Sequence, residues 1–396
     1  MLSVAQALDR ILALAPLMPA EMVRLEHAAG RYLASDLNAV RDQPPFPASA
    51  MDGYAVRASD AHEGAILSVT GEAAAGHCWE DPLAPNCAIR IFTGAPVPAG
   101  ADTILIQENA ERAGDRIRVT SAPTLGEFVR PAGGDFQAGY SVHAPRRLTS
   151  RDIALFAAMN IPVVPVRRRP VIALIPTGDE LVQPGEAPGP NQIIASNNFG
   201  LAAMLDAAGA ETRQCPIARD TPESLRASFA TAEGSDIIVS LGGASVGDHD
   251  LVAEVITDVG LELDFYKVAM RPGKPLMAGR LGQAMMIGLP GNPVSALVCG
   301  EVFLRPAIDK TLGLPGAARQ TQIGQISHDL DANGPREHYM RARVTLSPKH
   351  GLLVEVFENQ DSSRLATLAR ANALVVRKPH AGPISQGEQV AFIALD

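Results

Sequence analysis

The chain has 396 residues, 46% of them hydrophobic, and a formal net charge of −9. That length calls for two to four modules, and the apolar fraction with no low-complexity tract argues against a disordered scaffold. The acidic balance repels phosphate backbones and argues against nucleic acid, and no apolar run approaches the roughly 20 residues that cross a bilayer.

Ser3 with Gln6 forms a capping-box pattern, and Val4, Leu8, Ile11 and Leu12 recur at helical spacing until Pro16. This amphipathic helix packs either on its own domain or on a second subunit. The apolar start lacks a basic n-region and a small-residue cleavage site. Cys78, Cys87, Cys215 and Cys299 have neither a disulfide framework nor zinc spacing. The expectation is a cytoplasmic protein.

From Gln43 to Tyr140 short runs such as GYAVRASD, AILSVTGEA and ADTILIQENA are bounded by Gly and Pro, which predicts a β-rich module. Residues 146–160 read as helical with Thr149 or Ser150 as cap, and VVPVRRRP as a strand leading out. Within 169–316, the buried-strand runs VIALIP, DIIVSL and AMMIGLP alternate with helical stretches FGLAAMLDAAGA, PESLRASFATAEG and PVSALVCGEVFLRPAI. Such alternation predicts a three-layer α/β domain with a mostly parallel sheet. Residues 317–396 return to short strands, a small β module.

Each α/β strand ends in a loop of unusual composition. VIALIP runs into Thr177-Gly178-Asp179-Glu180, DIIVSL into a loop from Gly242 to Asp250, and AMMIGLP into Gly291-Asn292-Pro293. Ligands of open α/β sheets bind outside the carboxyl ends of the strands, so the three loops point to one crevice. Gly242 and Gly243 suit close backbone approach to phosphate. Asn292 can cap a helix starting at Pro293, whose N-terminus favours an anion. Asp179, Glu180, Asp248 and Asp250 share these loops, where clustered acids beside phosphates hold Mg²⁺; single acids among them also read as caps or solvated loop residues. His249 among hard oxygen donors is poor support for zinc. Lys267, Arg271 and Lys274 crowd YKVAMRPGKP and either neutralise anions or form a solvated basic loop. In the β-rich part, Asp52 sits in a Met-Asp-Gly turn, Thr93 and Asp102 flank a Pro/Gly loop, and Arg130 and Asp135 flank another. A turn Asp before Gly is ordinarily structural.

In order, SAMDGYAV (49–56), IFTGAPVPAGAD (91–102), TGDEL (177–181), GGASVGDHD (242–250), RPGKP (271–275) and GLPGNPVSA (288–296) resemble the molybdopterin molybdenumtransferase family, the MoeA and gephyrin E-domain group. The resemblance covers nearly the whole chain. It implies a homodimer whose chains carry a discontinuous dimerisation domain (1–44 plus 146–168), an inserted β-rich module (45–145), an α/β molybdopterin-binding domain (169–316) and a C-terminal β barrel (317–396). It implies insertion of molybdate into adenylylated molybdopterin with Mg²⁺-dependent release of AMP. It implies catalytic roles for Asp52, Asp135, Glu180 and Asp250, and a metal held by Asp52, Glu180, Asp248 and Asp250. It implies substrate contacts at Thr93, Arg130, Asp220, Gly242, Gly243, Ser245, Lys267, Arg271, Lys274, Pro290, Asn292, Pro293, Arg341 and Ser362.

Partners implied are a molybdopterin adenylyltransferase and apo-molybdoenzymes or their chaperones. The sequence departs from the family pattern at Pro176, where Ser is common, and at Leu241, where Ser or Thr is common. Arg271 stands where Lys is usual, and Asp361-Ser362-Ser363 where Gly-Ser is usual. The alternatives are a non-catalytic pterin carrier or scaffold and a tungstate-handling paralogue; retention of Asp52, Glu180 and Asp250 favours the enzyme.

Overall fold

Short apolar runs bounded by turn residues have become buried strands, as their length and side-chain branching favour. The computed structural model describes residues 1–242, 255, 258, 260–348 and 351–395. The chain divides into two units, Met1–Glu21 with Arg167–Asp396, and Met22–Val166.

The first unit contains a six-stranded sheet ordered Glu211–Gln214, Val171–Pro176, Ile237–Leu241, Ala284–Leu289, Met277–Leu281, Leu261–Tyr266. The first four strands are parallel, Met277–Leu281 runs antiparallel to them, and Leu261–Tyr266 is antiparallel to Met277–Leu281. The central strands are buried along almost their whole length, which is why they read as unbroken apolar runs. Their register pairs Pro176 with Leu241 and Leu241 with Leu289. Three strands therefore end level, and the loops after them start side by side.

The helices expected after these strands form at Asn197–Ala207 and Pro222–Thr231, the latter capped by Thr221. The single helix expected from Pro293 is interrupted. It runs as Pro293–Cys299, a π turn Gly300–Leu304, and Arg305–Thr311. Pro306 has no N–H for the carbonyl four residues back, and a π turn just before it absorbs that break. At the N-terminus the capping box closes as expected: Gln6 N–H donates to Ser3 Oγ (3.2 Å) and Ser3 N–H to Gln6 Oε1 (3.0 Å). Helix Val4–Leu14 buries Val4, Ala7, Leu8 and Ile11 and packs on Arg305–Thr311 and Met277–Leu281.

The tail closes into a five-stranded barrel. Glu337–Ser347 pairs with Gly351–Val356, which pairs with Gln322–Ile326, then Gln389–Ala394, then Ala373–Arg377, which returns to Glu337–Ser347. Closure leaves no free sheet edge, and Ile326, Val354, Ala373 and Phe392 fill the centre. Met270–Arg271 adds in parallel, with Arg271 opposite His338. His338 is 6% exposed. Burial, then the charges of Arg271, Arg341, Arg336 and Arg377, push its pKa down to about 4.

The unfolded imidazole takes a proton near pH 6.5, so between those values the unfolded chain binds the extra proton. Stability is expected to be complete above about pH 6.5 and to fall as pH drops towards 4, by up to about 3 kcal/mol. Urea unfolding of wild type and His338→Gln across this range checks it. Parallel pH profiles for the two proteins would show that His338 is not the group responsible.

The second unit holds a six-stranded sheet ordered Thr103–Ile106, Gly53–Val56, Cys87–Ile91, Ile66–Ala73, Arg116–Val119, Ala110–Ala113. A four-stranded sheet combines Ala20–Arg24, Val163–Arg167, Tyr32–Leu33 and Arg146–Arg147. The helix expected over 146–160 is shorter, Ser150–Ala158, with Thr149 and Asp152 closing its capping box. Arg146 and Arg147 instead pair with Leu33 and Tyr32, because Thr149 fixes the helix start and leaves the preceding residues extended. Phe156, fully buried, anchors the helix in the local core.

Candidate active site

A cleft of about 540 Å³ opens at the carboxyl ends of the three level strands, lined by Thr177, Glu180, Leu241, Asn197, Asn292 and Pro293 among others. Its floor is a set of close backbone approaches. Thr177 N–H donates to Leu241 O (2.9 Å), and Gly242 N–H to Leu289 O (3.1 Å). Gly242 has φ +102°, and a Cβ there would lie 2.7 Å from both the carbonyl and the hydroxyl of Thr177. Only glycine fits this junction. Asn197 Nδ2 donates to Gly291 O (2.7 Å), tying the start of one helix to the loop before the next.

Glu180 is exposed, yet the backbone carrying it is fixed. Arg219 Nη1 donates to the carbonyls of Gly178 (3.4 Å), Asp179 (3.1 Å) and Leu181 (2.9 Å). Ile193 N–H takes the Glu180 carbonyl (2.7 Å), and Gly178 N–H donates to Ala218 O (3.0 Å). Asp220 joins through its N–H, which donates to Asp179 Oδ1 (3.1 Å). Asp179 thus holds a loop together, while no hydrogen bond among the described residues restrains the Glu180 carboxylate.

The cationic residues gather on one turn. Lys267 N–H donates to Leu276 O (2.9 Å) and Val268 N–H to Lys274 O (3.1 Å). Lys267 adopts φ +69°, with its ammonium 4.7 Å from the Tyr266 ring centroid. Arg271 and Lys274 are exposed.

Three expected contacts change character. Arg341 is 1% exposed. Its guanidinium donates to Asp361 O (2.8 Å), Asn359 O (3.3 Å) and Gln360 Oε1 (3.2 Å), so it braces its own loop. Burial, and then the Arg271 charge, lower its pKa although Asp361 opposes them. Asn292 occupies the cap position but its side chain makes no capping bond. The anion site expected at the helix start is largely used up: Pro293 has no N–H, and Val294 N–H donates to the carbonyl of Ser362 (3.2 Å). Ser362 therefore seats the barrel loop on the helix through its backbone. Pro290 is buried at the end of the strand.

In the second unit, Asp52 is exposed but oriented. Its Oδ1 accepts from Thr93 N–H and Thr93 Oγ1, both at 2.8 Å. These two bonds hold the carboxyl below its usual pKa, with Arg90 adding its charge. Gln107 N–H donates to the Asp52 carbonyl (3.2 Å), and Arg90 Nη1 to that of Gly53 (3.1 Å). Arg90 lies over the rings of Tyr54 (5.1 Å) and Phe92 (4.9 Å). Arg130 sits on the adjoining strand opposite Ala48. Asp135 belongs to a separate turn whose N–H donates to Gln43 O (2.9 Å). Asp102 is held in the same way as Asp52: its Oδ1 accepts from Ala58 N–H (2.8 Å) and Thr103 Oγ1 (2.9 Å).

Gly243, Ser245, Asp248, His249 and Asp250 lie outside the described residues. Among the described residues no three His, Cys, Asp or Glu side chains gather to hold a metal, and no helix is long and apolar enough to cross a membrane. Sequence reasoning missed Arg219 and Arg90. Their acceptors are backbone carbonyls 37 to 41 residues away, which leave no spacing pattern; adjacency to Asp220 was the only signal for Arg219.

Residues 2–160 match the MoeA N-terminal region (domain I and II), residues 173–310 the probable molybdopterin binding domain, and residues 324–395 the MoeA C-terminal region (domain IV). A molybdopterin molybdenumtransferase of Nostoc sp. is 37% identical over 386 residues, covering 95% of this chain and 88% of the relative. One from Haemophilus influenzae is 31% identical, covering 99% of this chain and 98% of the relative. A crystal structure of a molybdopterin biosynthesis MoeA protein from Pyrococcus horikoshii aligns with a TM-score of 0.87 at 29% identity, covering 100% of this chain and 99% of that one.

Proposed function

We infer the parts played by these residues from one premise: the chain belongs to the MoeA family of molybdopterin molybdenumtransferases. It is a transferase of molybdenum cofactor biosynthesis that inserts molybdenum into molybdopterin. The finer proposal is that its substrates are adenylylated molybdopterin and molybdate, and its products the molybdenum cofactor and AMP. The observation that carries it is the cleft at the level strand ends, where an anchored loop presents an unrestrained Glu180 beside glycine junctions.

The proposed metal is Mg²⁺. It keeps several waters and takes one or two carboxylates together with substrate phosphate oxygens, rather than an all-protein cage. Glu180, Asp248 and Asp250 are the proposed acids of the first unit, of which one or two would be direct ligands; Asp52 is proposed as a metal-contacting acid of the second unit. When bound, the ion neutralises phosphate charge as the anhydride P–O bond breaks.

The chain's own contributions are proposed as follows. Gly242, Gly243 and Ser245 admit the phosphates against the backbone, with Asp220, Pro290, Asn292 and Pro293 shaping the cleft wall. Lys267, Arg271 and Lys274 receive anionic groups. Asp52 is held ready by Thr93, and in the same unit Asp135 is proposed as a catalytic residue and Arg130 as a substrate contact.

We propose the four-part domain division 1–44 plus 146–168, 45–145, 169–316 and 317–396, a homodimer and a cytoplasmic setting. The proposed partners are an adenylyltransferase that supplies the substrate, and apo-molybdoenzymes or their chaperones that take the product.

The test is AMP release from adenylylated molybdopterin with and without Mg²⁺ and molybdate, coupled to reconstitution of an apo-molybdoenzyme. Release that needs both ions, followed by reconstitution, is expected. Tight pterin binding without release under any ion condition would make the chain a carrier.

A further inference from the structure

We propose that Arg219 is a positioning residue: it sets the conformation of the loop that presents Glu180 and so acts on the reaction through that carboxylate. The inference rests on the proposed role of Glu180. The loop would be costly to hold by itself. Gly178 sits at φ +142°, and a Cβ there would lie 2.3 Å from Glu180 Oε2, so the carboxylate folds back over a bare backbone. Turns of this kind stay in one shape only when their carbonyls and N–H groups have fixed partners.

Here every carbonyl from Gly178 to Leu181 has one. Arg219 Nη1 holds three of the four, at 2.9 to 3.4 Å, and Ile193 N–H holds the fourth. The cation thus grips both sides of Glu180 without touching its side chain. The backbone that carries Arg219 is held in turn. Arg219 N–H donates to Ser224 Oγ (2.9 Å), and its neighbour Asp220 N–H donates to Asp179 Oδ1. The 219–220 segment is therefore bonded to the loop through both a side chain and a backbone N–H. A positive charge beside three carbonyl dipoles makes stronger bonds than a neutral donor would. A small displacement of a positioned group costs on the order of 10²-fold in rate.

The experiment uses the full chain with Arg219→Met, Arg219→Lys, Glu180→Gln and the Arg219→Met/Glu180→Gln double variant. Single-turnover AMP release, KM for adenylylated molybdopterin, and hydrogen exchange of residues 178–182 are read together. Arg219→Met is expected to slow release roughly 10- to 100-fold with KM little changed and exchange in the loop accelerated. Arg219→Lys, which keeps a charge without the fork, is expected to recover part of the rate. The double variant is expected to be no slower than Glu180→Gln, since both changes act on one group.

Wild-type release by Arg219→Met, additive losses, or unaltered loop exchange would each overturn the inference. Should Arg219→Met fail to fold, the same comparisons are made with Arg219→Lys, alone and combined with Glu180→Gln. A Glu180→Gln variant with wild-type release would instead sink the assignment of Glu180, and the inference with it. Impaired Glu180→Gln beside wild-type Arg219→Met sinks the inference alone.

Discussion

Asp52→Ala is expected to lower AMP release by about 100-fold or more while leaving the fold and its melting temperature essentially intact. The two halves of that expectation have separate causes. The carboxylate is exposed, so its removal leaves no cavity. The turn beneath it keeps Gln107 N–H on the Asp52 carbonyl, Arg90 on the Gly53 carbonyl and the Ser49 hydroxyl on Met51 O (2.6 Å). What is lost is an oriented negative charge. Two Thr93 donors at 2.8 Å on Oδ1 fix the carboxylate and leave Oδ2 to meet a metal or a reacting group, and their bonds hold the carboxyl below its usual pKa. Asp102→Ala is the control. That residue is also an exposed acid at a strand start, with two donors on its Oδ1, but the family resemblance gives it no role. It should leave turnover unchanged. Equal turnover in Asp52→Ala and wild type would remove Asp52 from the site.

Asp52 and Asp102 show how far sequence reaches. Both are exposed acids in turns flanked by small residues, each with an Oδ1 that accepts two donors, and nothing in their spacing separates them. Only the family resemblance, which gives a role to Asp52 and none to Asp102, does so. Elements fixed by local rules were legible: the capping boxes at Ser3/Gln6 and Thr149/Asp152 formed as written, and the three apolar runs became level parallel strands. That the loops after them start side by side followed from those strands, since parallel order puts all their carboxyl ends on one side. Groups defined by distant backbone partners were not legible. Arg219 reads as an ordinary cation before an aspartate until it meets the carbonyls of residues 178 to 181. Asn292 has the right residue type for a cap, yet Pro293 removes one N–H and the Ser362 carbonyl takes the next.

The largest expected stability effect lies at Arg341, where the structure shows loop contacts beside the ligand role that the resemblance implies. Arg341→Met should destabilise the protein by about 3 kcal/mol, because the carbonyls of Asn359 and Asp361 and the Gln360 amide oxygen lose a buried charged donor together. Methionine fills much of the volume, so the loss reports the bonds and not a cavity. The loop that comes free is the one whose Ser362 carbonyl holds Val294 N–H at the cleft helix. Turnover of the remaining folded protein should therefore fall as well, through a loosened cleft wall. A direct ligand role predicts the reverse order: unchanged unfolding and a raised KM. The acid range supplies a second, independent reading. Arg341 is one of the four cations that hold His338 neutral, and removing it should raise the His338 pKa. The stability lost between about pH 6.5 and 4 should then shrink relative to wild type. Urea unfolding of Arg341→Met at both ends of that range reads both effects, and a variant as stable as wild type with an unaltered pH profile would return Arg341 to the list of ligand contacts.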